Sequence, residues 1–127
     1  MIHLDTGFLI RALERDTDED ATLRNWMRDG EALGISMLAW AEFLCGPVSP
    51  EAIDVAATIL GDSLPFGADE AALSARLFNE SGRRRSSLVD CMIAASALHN
   101  GAVLATSNRV DFRRLESLGL RVVSPLT

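Results

Sequence analysis

Four carboxylates and one carboxamide stand in this sequence where apolar runs end or are broken. Asp5 follows the short apolar segment Ile2–Leu4, and Asn108 and Asp111 follow the apolar segment Ala102–Ala105 across Thr106–Ser107. Glu42 and Asp90 interrupt the stretches Met37–Cys45 and Leu88–Leu98, which are otherwise almost wholly apolar. Each has an ordinary structural explanation: Asp5 near the dipole of a following helix, Asp90 in a capping box with Ser87, Glu42 as the polar spot of an amphipathic helix, Asp111 as a helix-start acid before Phe112. Those explanations are weaker for the set, because a carboxylate is rarely buried unless it is paired or bound to metal. Converging carboxylates without a cation repel one another and raise each other's pKa. A hard divalent cation such as Mg²⁺, which takes carboxylate and water oxygens, removes that conflict.

Other chemistries are excluded by composition. All 12 basic residues are arginine, so there is no Walker-type phosphate lysine, no Schiff base and no lysine general base. A phospho-receiver module needs a lysine beside its acidic site, and the best-known aspartyl phosphatases need a D-x-D pair where this chain has Asp5-Thr6-Gly7. Cys45 and Cys91 have no CxxC or CxxH spacing, which argues against zinc, and their apolar neighbours predict two buried free thiols in a reducing cytoplasm. His3 and His99 lack partner spacing and are assigned to structure. A net charge of −6 and a pI near 4.8 would count against a nucleic-acid ligand if charge were evenly spread. It is not: Arg83, Arg84 and Arg85 precede the stretch carrying Asp90, and Arg109, Arg113 and Arg114 flank Asp111. They read either as a basic rim for phosphates beside an acidic site or as solvated loop charge.

Short strands alternating with helices must position these groups. Expected strands are Ile2–Leu4, Leu33–Met37, Ser63–Phe66, Ala102–Ala105 and Arg121–Val123. Expected helices run from an N-cap at Thr6 to about Glu14, through Leu23, Trp26 and Met27 after a polar turn at Asp16–Asp20, and over Leu38–Cys45, Pro50–Leu60, Asp69–Glu80, Leu88–His99 and Val110–Leu118. Trp26, Trp40, Phe43 and Phe78 fall at helical spacing with other apolar residues and read chiefly as core. No apolar run approaches the ~20 residues of a membrane span, and the opening segment has no basic n-region of an export signal. Strands that read as continuous apolar runs predict a parallel sheet. The fold class is α/β: a single three-layer domain over residues 1–127, with a central, mainly parallel sheet of about five strands covered by helices. In such sheets functional groups collect beyond the carboxyl ends of the strands.

The segments IHLDTGFLI, SMLAWAEFLCG, SLVDCMIAASAL and VLATSNRVDF resemble the four ordered motifs of the PIN-domain superfamily, in particular the VapC-type toxins of toxin–antitoxin pairs. On that resemblance Asp5, Glu42 and Asp90 match the three main acids, which hold metal and serve catalysis. Asp111 is the first choice for the fourth position, with Asn108 as a neutral alternative or a group behind the ligands. Thr6 and Thr106 match hydroxyls that orient ligands or water. Gly7 departs from the Asn or Ser often found after that threonine and cannot supply its hydrogen bond. The resemblance implies a Mg²⁺- or Mn²⁺-dependent endoribonuclease that hydrolyses phosphodiester bonds with metal-activated water, using one or two ions. It also implies an RNA substrate such as tRNA or rRNA, a small antitoxin partner and a homodimer. Arg83, Arg84, Arg85 and Arg109 are the candidate substrate contacts. The competing expectation is a non-catalytic RNA-binding or scaffold domain on the same fold.

Overall fold

The apolar residues after Met1 form β1 (Ile2–Leu4), which pairs in parallel with β2 (Leu33–Gly34) on one side and β3 (Val103–Ala105) on the other. A last short strand, β4 (Val122–Val123), pairs in parallel with β3, so the order is β2-β1-β3-β4. The computed structural model describes residues 1–125. Among these the sheet has four strands where five were expected. The segment Ser63–Phe66 contributes only one parallel bridge, between Leu64 and Ser36, with Leu64 N–H donating to Ile35 O and Leu64 O accepting from Met37 N–H. Pro65 has no N–H with which to continue a ladder. The strand expected over Leu33–Met37 is shortened because Ser36 turns away to cap the next helix, its Oγ accepting from Ala39 N–H.

Seven α-helices connect and cover the strands among the described residues: α1 (Thr6–Ala12), α2 (Asp18–Arg28), α3 (Met37–Cys45), α4 (Pro50–Leu60), α5 (Ala68–Glu80), α6 (Leu88–His99) and α7 (Arg109–Glu116), with a 3-10 turn at Arg85–Ser87 before α6. Helices α3, α5 and α7 each start one residue before the expected position, and the starts of α1 and α2 differ in their caps. Asp5, not Thr6, is the N-cap of α1, its carboxylate accepting from Thr6 N–H. The expected turn Asp16–Asp20 instead holds the start of α2, capped by Thr17, with three acids in its first turn favoured by the helix dipole.

The core is built on Leu4, Phe8, Leu9, Ile35, Phe43, Ile93, Leu104 and Phe112. Helix α6 is apolar all round and runs through it, burying Cys91 and every residue from Ile93 to Ala97. It packs on α5, α3, α7 and β3. Phe43 is fully buried, while Trp26, Trp40 and Phe78 pack half-buried against the core. Cys91 is buried as expected, but Cys45, the last residue of α3, is exposed.

The strand order locates the site. β1 and β3 are neighbours, yet the next strand after β1 lies on its far side (β2) and the next after β3 lies on the opposite edge (β4). In an open parallel sheet such a reversal opens a crevice beyond the carboxyl ends of the two strands. Asp5 and Thr106 are the residues immediately beyond those ends.

Candidate functional site

Asp5 leaves β1 with its backbone N–H donating to Ala105 O, the last residue of β3. Its carboxylate is held at both oxygens: Oδ1 accepts from Thr6 N–H at 2.8 Å and Oδ2 from Thr106 Oγ1 at 3.0 Å. Thr106 is fully buried, and its hydroxyl also accepts from Asn108 N–H at 3.0 Å. The single hydroxyl proton of Thr6, the first residue of α1, is shared between Glu42 Oε1 at 2.9 Å and Ala39 O at 3.2 Å, joining α1 to α3. The two matched threonines thus each hold one carboxylate. The Asn108 side chain donates to Asp111 Oδ2 at 2.5 Å, so the two candidates for the fourth position form one unit.

Asp90 sits in the first turn of α6 and is treated differently. The capping box with Ser87 does not form: Ser87 makes no side-chain cap bond and donates its hydroxyl to Arg84 O at 2.7 Å. Burial pushes the Asp90 carboxyl up to about 6, with Asp5, Asp111 and Glu42 each adding repulsion. Asp5 is raised too, chiefly by burial and further by Glu42 and Asp111, while the bonds from Thr106 and Thr6 oppose the rise. Asp90 therefore feels the charge of three other carboxylates and Asp5 that of two, drawn from four segments of the chain. Among the described residues no three His, Cys, Asp or Glu side chains are so placed that they could hold an ion between them. Mutual repulsion opposes such a placement without a cation, and Mg²⁺ needs only one or two carboxylates, keeping waters as its other ligands. Asp5 and Asp90, both with raised pKa and neither paired with an arginine among the described residues, are hard oxygen donors of the kind a divalent cation takes.

A cleft of about 330 Å³ adjoins these acids, lined by Asp90, Asp111, Arg84, Arg114, Ser86 and Ser87 among others. The arginines expected at the rim are divided. Arg84 lines the cleft; Arg83 turns to Asn79 Oδ1 and lies over the Phe78 ring, and Arg109 pairs with Glu116 at 2.8 Å. Arg114 lines the cleft, where Arg109 does not, and donates to Ser81 O at 3.1 Å. It is three residues from Asp111, and that spacing puts both on one face of α7. Gly82, at φ +106, leaves room for it: a Cβ there would stand 2.9 Å from Arg114 Nη1.

The histidines are accounted for by packing. His3 is buried in β1 with neither ring nitrogen hydrogen-bonded among the described residues, and burial lowers its pKa to about 4, so it stays neutral. His99 pairs with buried Glu70 at 2.9 Å. One further link, which the sequence does not announce, joins Ser107 to the buried Glu19 of α2. An acid in a helix's first turn looks like a dipole partner, and nothing local separates Glu19 from Asp18 or Asp20.

The chain is 34% identical over 132 residues to Ribonuclease VapC1 of Rickettsia felis, covering 95% of each. Its fold matches solved structures at lower identity. These include VapBC2 from Rickettsia felis bound to a DNA fragment from their promoter (TM-score 0.78, 21% identity, 98% of each chain) and a toxin–antitoxin complex from Klebsiella pneumoniae (TM-score 0.76, 23% identity, 99% of this chain and 98% of that one). FitAcB from Neisseria gonorrhoeae matches with a TM-score of 0.73 at 20% identity over 96% of each. The family model described as PIN domain matches residues 2–118, and the chain belongs to the PIN-domain family.

Proposed function

We propose that the protein is a Mg²⁺- or Mn²⁺-dependent endoribonuclease and the toxin of a toxin–antitoxin pair. The observation that carries the reading is the cluster of Asp5, Glu42, Asp90 and Asp111 around the crevice between β1 and β3, with no basic side chain paired to Asp5, Glu42 or Asp90 among the described residues. Homology to Ribonuclease VapC1 supports RNA as the substrate.

Asp5, Asp90 and Glu42 would hold the metal, with Asp111 or its bonded partner Asn108 completing the set. When bound, the cation would lower the pKa of a water and neutralise charge on the phosphoryl group. The chain's own groups do the positioning. Thr106 and Thr6 N–H fix the Asp5 carboxylate, and the Thr6 hydroxyl fixes that of Glu42. Arg84 and Arg114 are placed to bind phosphates along the cleft, where guanidinium groups can grip two oxygens at once.

The neighbouring toxin–antitoxin complexes support a small protein partner, and a homodimer is part of the same reading. A groove of about 500 Å³ is lined by the apolar Leu23, Met27, Val55 and Ile59 and by Arg15, Arg28 and Arg24, the last paired with Asp20 at 2.8 Å. An amphipathic antitoxin segment with acidic flanks matches that surface in both respects. No helix of the described residues is long and apolar enough to cross a membrane.

Purified protein incubated with tRNA and rRNA should cleave only with Mg²⁺ or Mn²⁺ and stop when EDTA is added. Undiminished cleavage in EDTA would overturn the metal mechanism, and metal-dependent binding without cleavage would favour a scaffold.

A further inference from the structure

Glu19 behaves unlike the acids on either side of it. Acidic residues in the first turn of a helix gain from the dipole while remaining in water, and Asp18 and Asp20 are exposed and half-buried respectively. Glu19 is only 3% exposed. Burying a carboxylate is costly unless partners compensate. Both of its partners converge on one oxygen: Arg11 Nε of α1 donates to Oε2 at 2.5 Å and Ser107 Oγ donates to it at 2.6 Å. Arg11 balances the charge, so Glu19 adds little repulsion to the nearby acids.

Ser107 is the middle residue of the turn Thr106–Asn108. Thr106 is anchored to the sheet by its N–H, which donates to Val123 O, and its hydroxyl reaches Asp5. On the other side, Asn108 holds Asp111. Between these two links to the site the turn is exposed at Ser107, and the Ser107 hydroxyl donates its one proton to Glu19.

We infer that Glu19 is a positioning residue for the site: gripping Ser107 from α2, it fixes the turn that aims Asn108 and Asp111 at the other carboxylates. The inference rests on the reading of that cluster as a metal-dependent ribonuclease centre. Glu19 touches neither metal nor RNA; it acts through Ser107.

Ser107→Ala tests this directly, because it deletes one hydroxyl at an exposed position and leaves Glu19 paired with Arg11. Glu19→Gln weakens the same grip from the other end, and Ser107→Thr keeps the hydroxyl. Three measurements apply: amide hydrogen exchange at Asp111, whose N–H donates to Asn108 O, Mn²⁺ affinity by calorimetry, and the Mn²⁺ dependence of RNA cleavage. Ser107→Ala and Glu19→Gln should both accelerate exchange at Asp111 and weaken Mn²⁺ binding about 10-fold, the low end of the range for groups that orient metal ligands, while Ser107→Thr stays near wild type. A purely structural Glu19 predicts a lower Tm for Glu19→Gln, with exchange at Asp111 and Mn²⁺ affinity unchanged in both variants. That result would overturn the inference. If wild-type protein neither binds Mn²⁺ nor cleaves RNA, the ribonuclease reading fails separately. Exchange at Asp111 then still decides whether Glu19 holds the turn, and unchanged exchange in Ser107→Ala overturns it.

Discussion

Two groups of carboxylates in this molecule meet burial in opposite ways. Glu19 and Glu70 are the more deeply buried, and each has the partners to offset it: Arg11 and Ser107 for Glu19, His99 and the Gly67 N–H for Glu70. The pKa of Glu19 falls below the usual carboxylate range because the bonds from Ser107 and Arg11 outweigh its desolvation. Asp5 and Asp90 are less buried, yet their pKa values rise, because desolvation is joined there by the charge of other acids. Where the fold needs a carboxylate for its own cohesion, it supplies a cation or donors. At the ends of β1 and β3 the described residues supply orienting hydroxyls to Asp5 and Glu42 and no arginine paired with Asp5, Glu42 or Asp90.

The largest effect should come from removing a charge in the second group. Asp5→Asn or Asp90→Asn should lower metal-dependent cleavage by more than the roughly 10–100-fold typical of losing a group that only orients a metal ligand. Single-turnover cleavage of a tRNA or rRNA substrate measures it, and near-normal activity in both variants would erase the distinction between the two groups. Thr106→Val keeps the side-chain shape while deleting the donor to Asp5 and the acceptor for Asn108 N–H. It should fall within that roughly 10–100-fold range, read as a weaker Mn²⁺ affinity.

The two groups should also differ in the sign of their pH dependence, read by thermal melts of metal-free protein. Asp90 has a folded pKa of about 6 against an ordinary 3.8, so over that interval the native state holds more protons than the unfolded chain. Its charge therefore costs stability as pH rises through the interval, and Asp90→Asn should melt above wild type at pH 8, with the gap closing below about pH 4. Glu19 is lowered from 4.5, so its contribution is present above that pH and is lost as pH falls through the folded value. Glu19→Gln should melt below wild type at neutral pH, and the deficit should shrink in acid. Gaps of the same sign would contradict the contrast. The smallest effect concerns the arginines before α6: changing Arg84, which lines the cleft, and its neighbour Arg85 together to Ala should leave Tm nearly unchanged. It should also flatten the salt dependence of RNA binding by about 0.7 units of slope for each phosphate no longer gripped. An unchanged slope would assign both to solvated loop charge.

Much of this arrangement is legible in the sequence, for identifiable reasons. Asp5, Glu42 and Asp90 stand out because each borders or breaks an apolar element, and apolar elements betray their boundaries. Helices Pro50–Leu60 and Leu88–His99 have the expected bounds because a proline start and an unbroken apolar run are local signals. The strand expected at Ser63–Phe66 is reduced to a single bridge because one proline outweighs its apolar neighbours. That Arg114 and not Arg109 lines the cleft depends on which face α7 turns to it, a tertiary choice. The Glu19–Ser107 bond joins residues 88 positions apart, and neither residue departs locally from an ordinary helix start or loop.

Whether the acids at the strand ends form a metal site is tested most directly by melting wild-type and Asp90→Asn protein with and without Mg²⁺, beside one cleavage assay. In the metal-site account the variant does not cleave, its metal-free form is at least as stable as wild type at neutral pH, and part of the Mg²⁺-induced rise in Tm disappears. That rise reflects ligand binding to the native state. If Asp90 merely serves the start of α6, removing its charge should cost on the order of 0.5–1 kcal/mol of stability, with cleavage and the Mg²⁺ response intact. A destabilised Asp90→Asn protein that still cleaves RNA and still responds to Mg²⁺ would contradict the metal-site account.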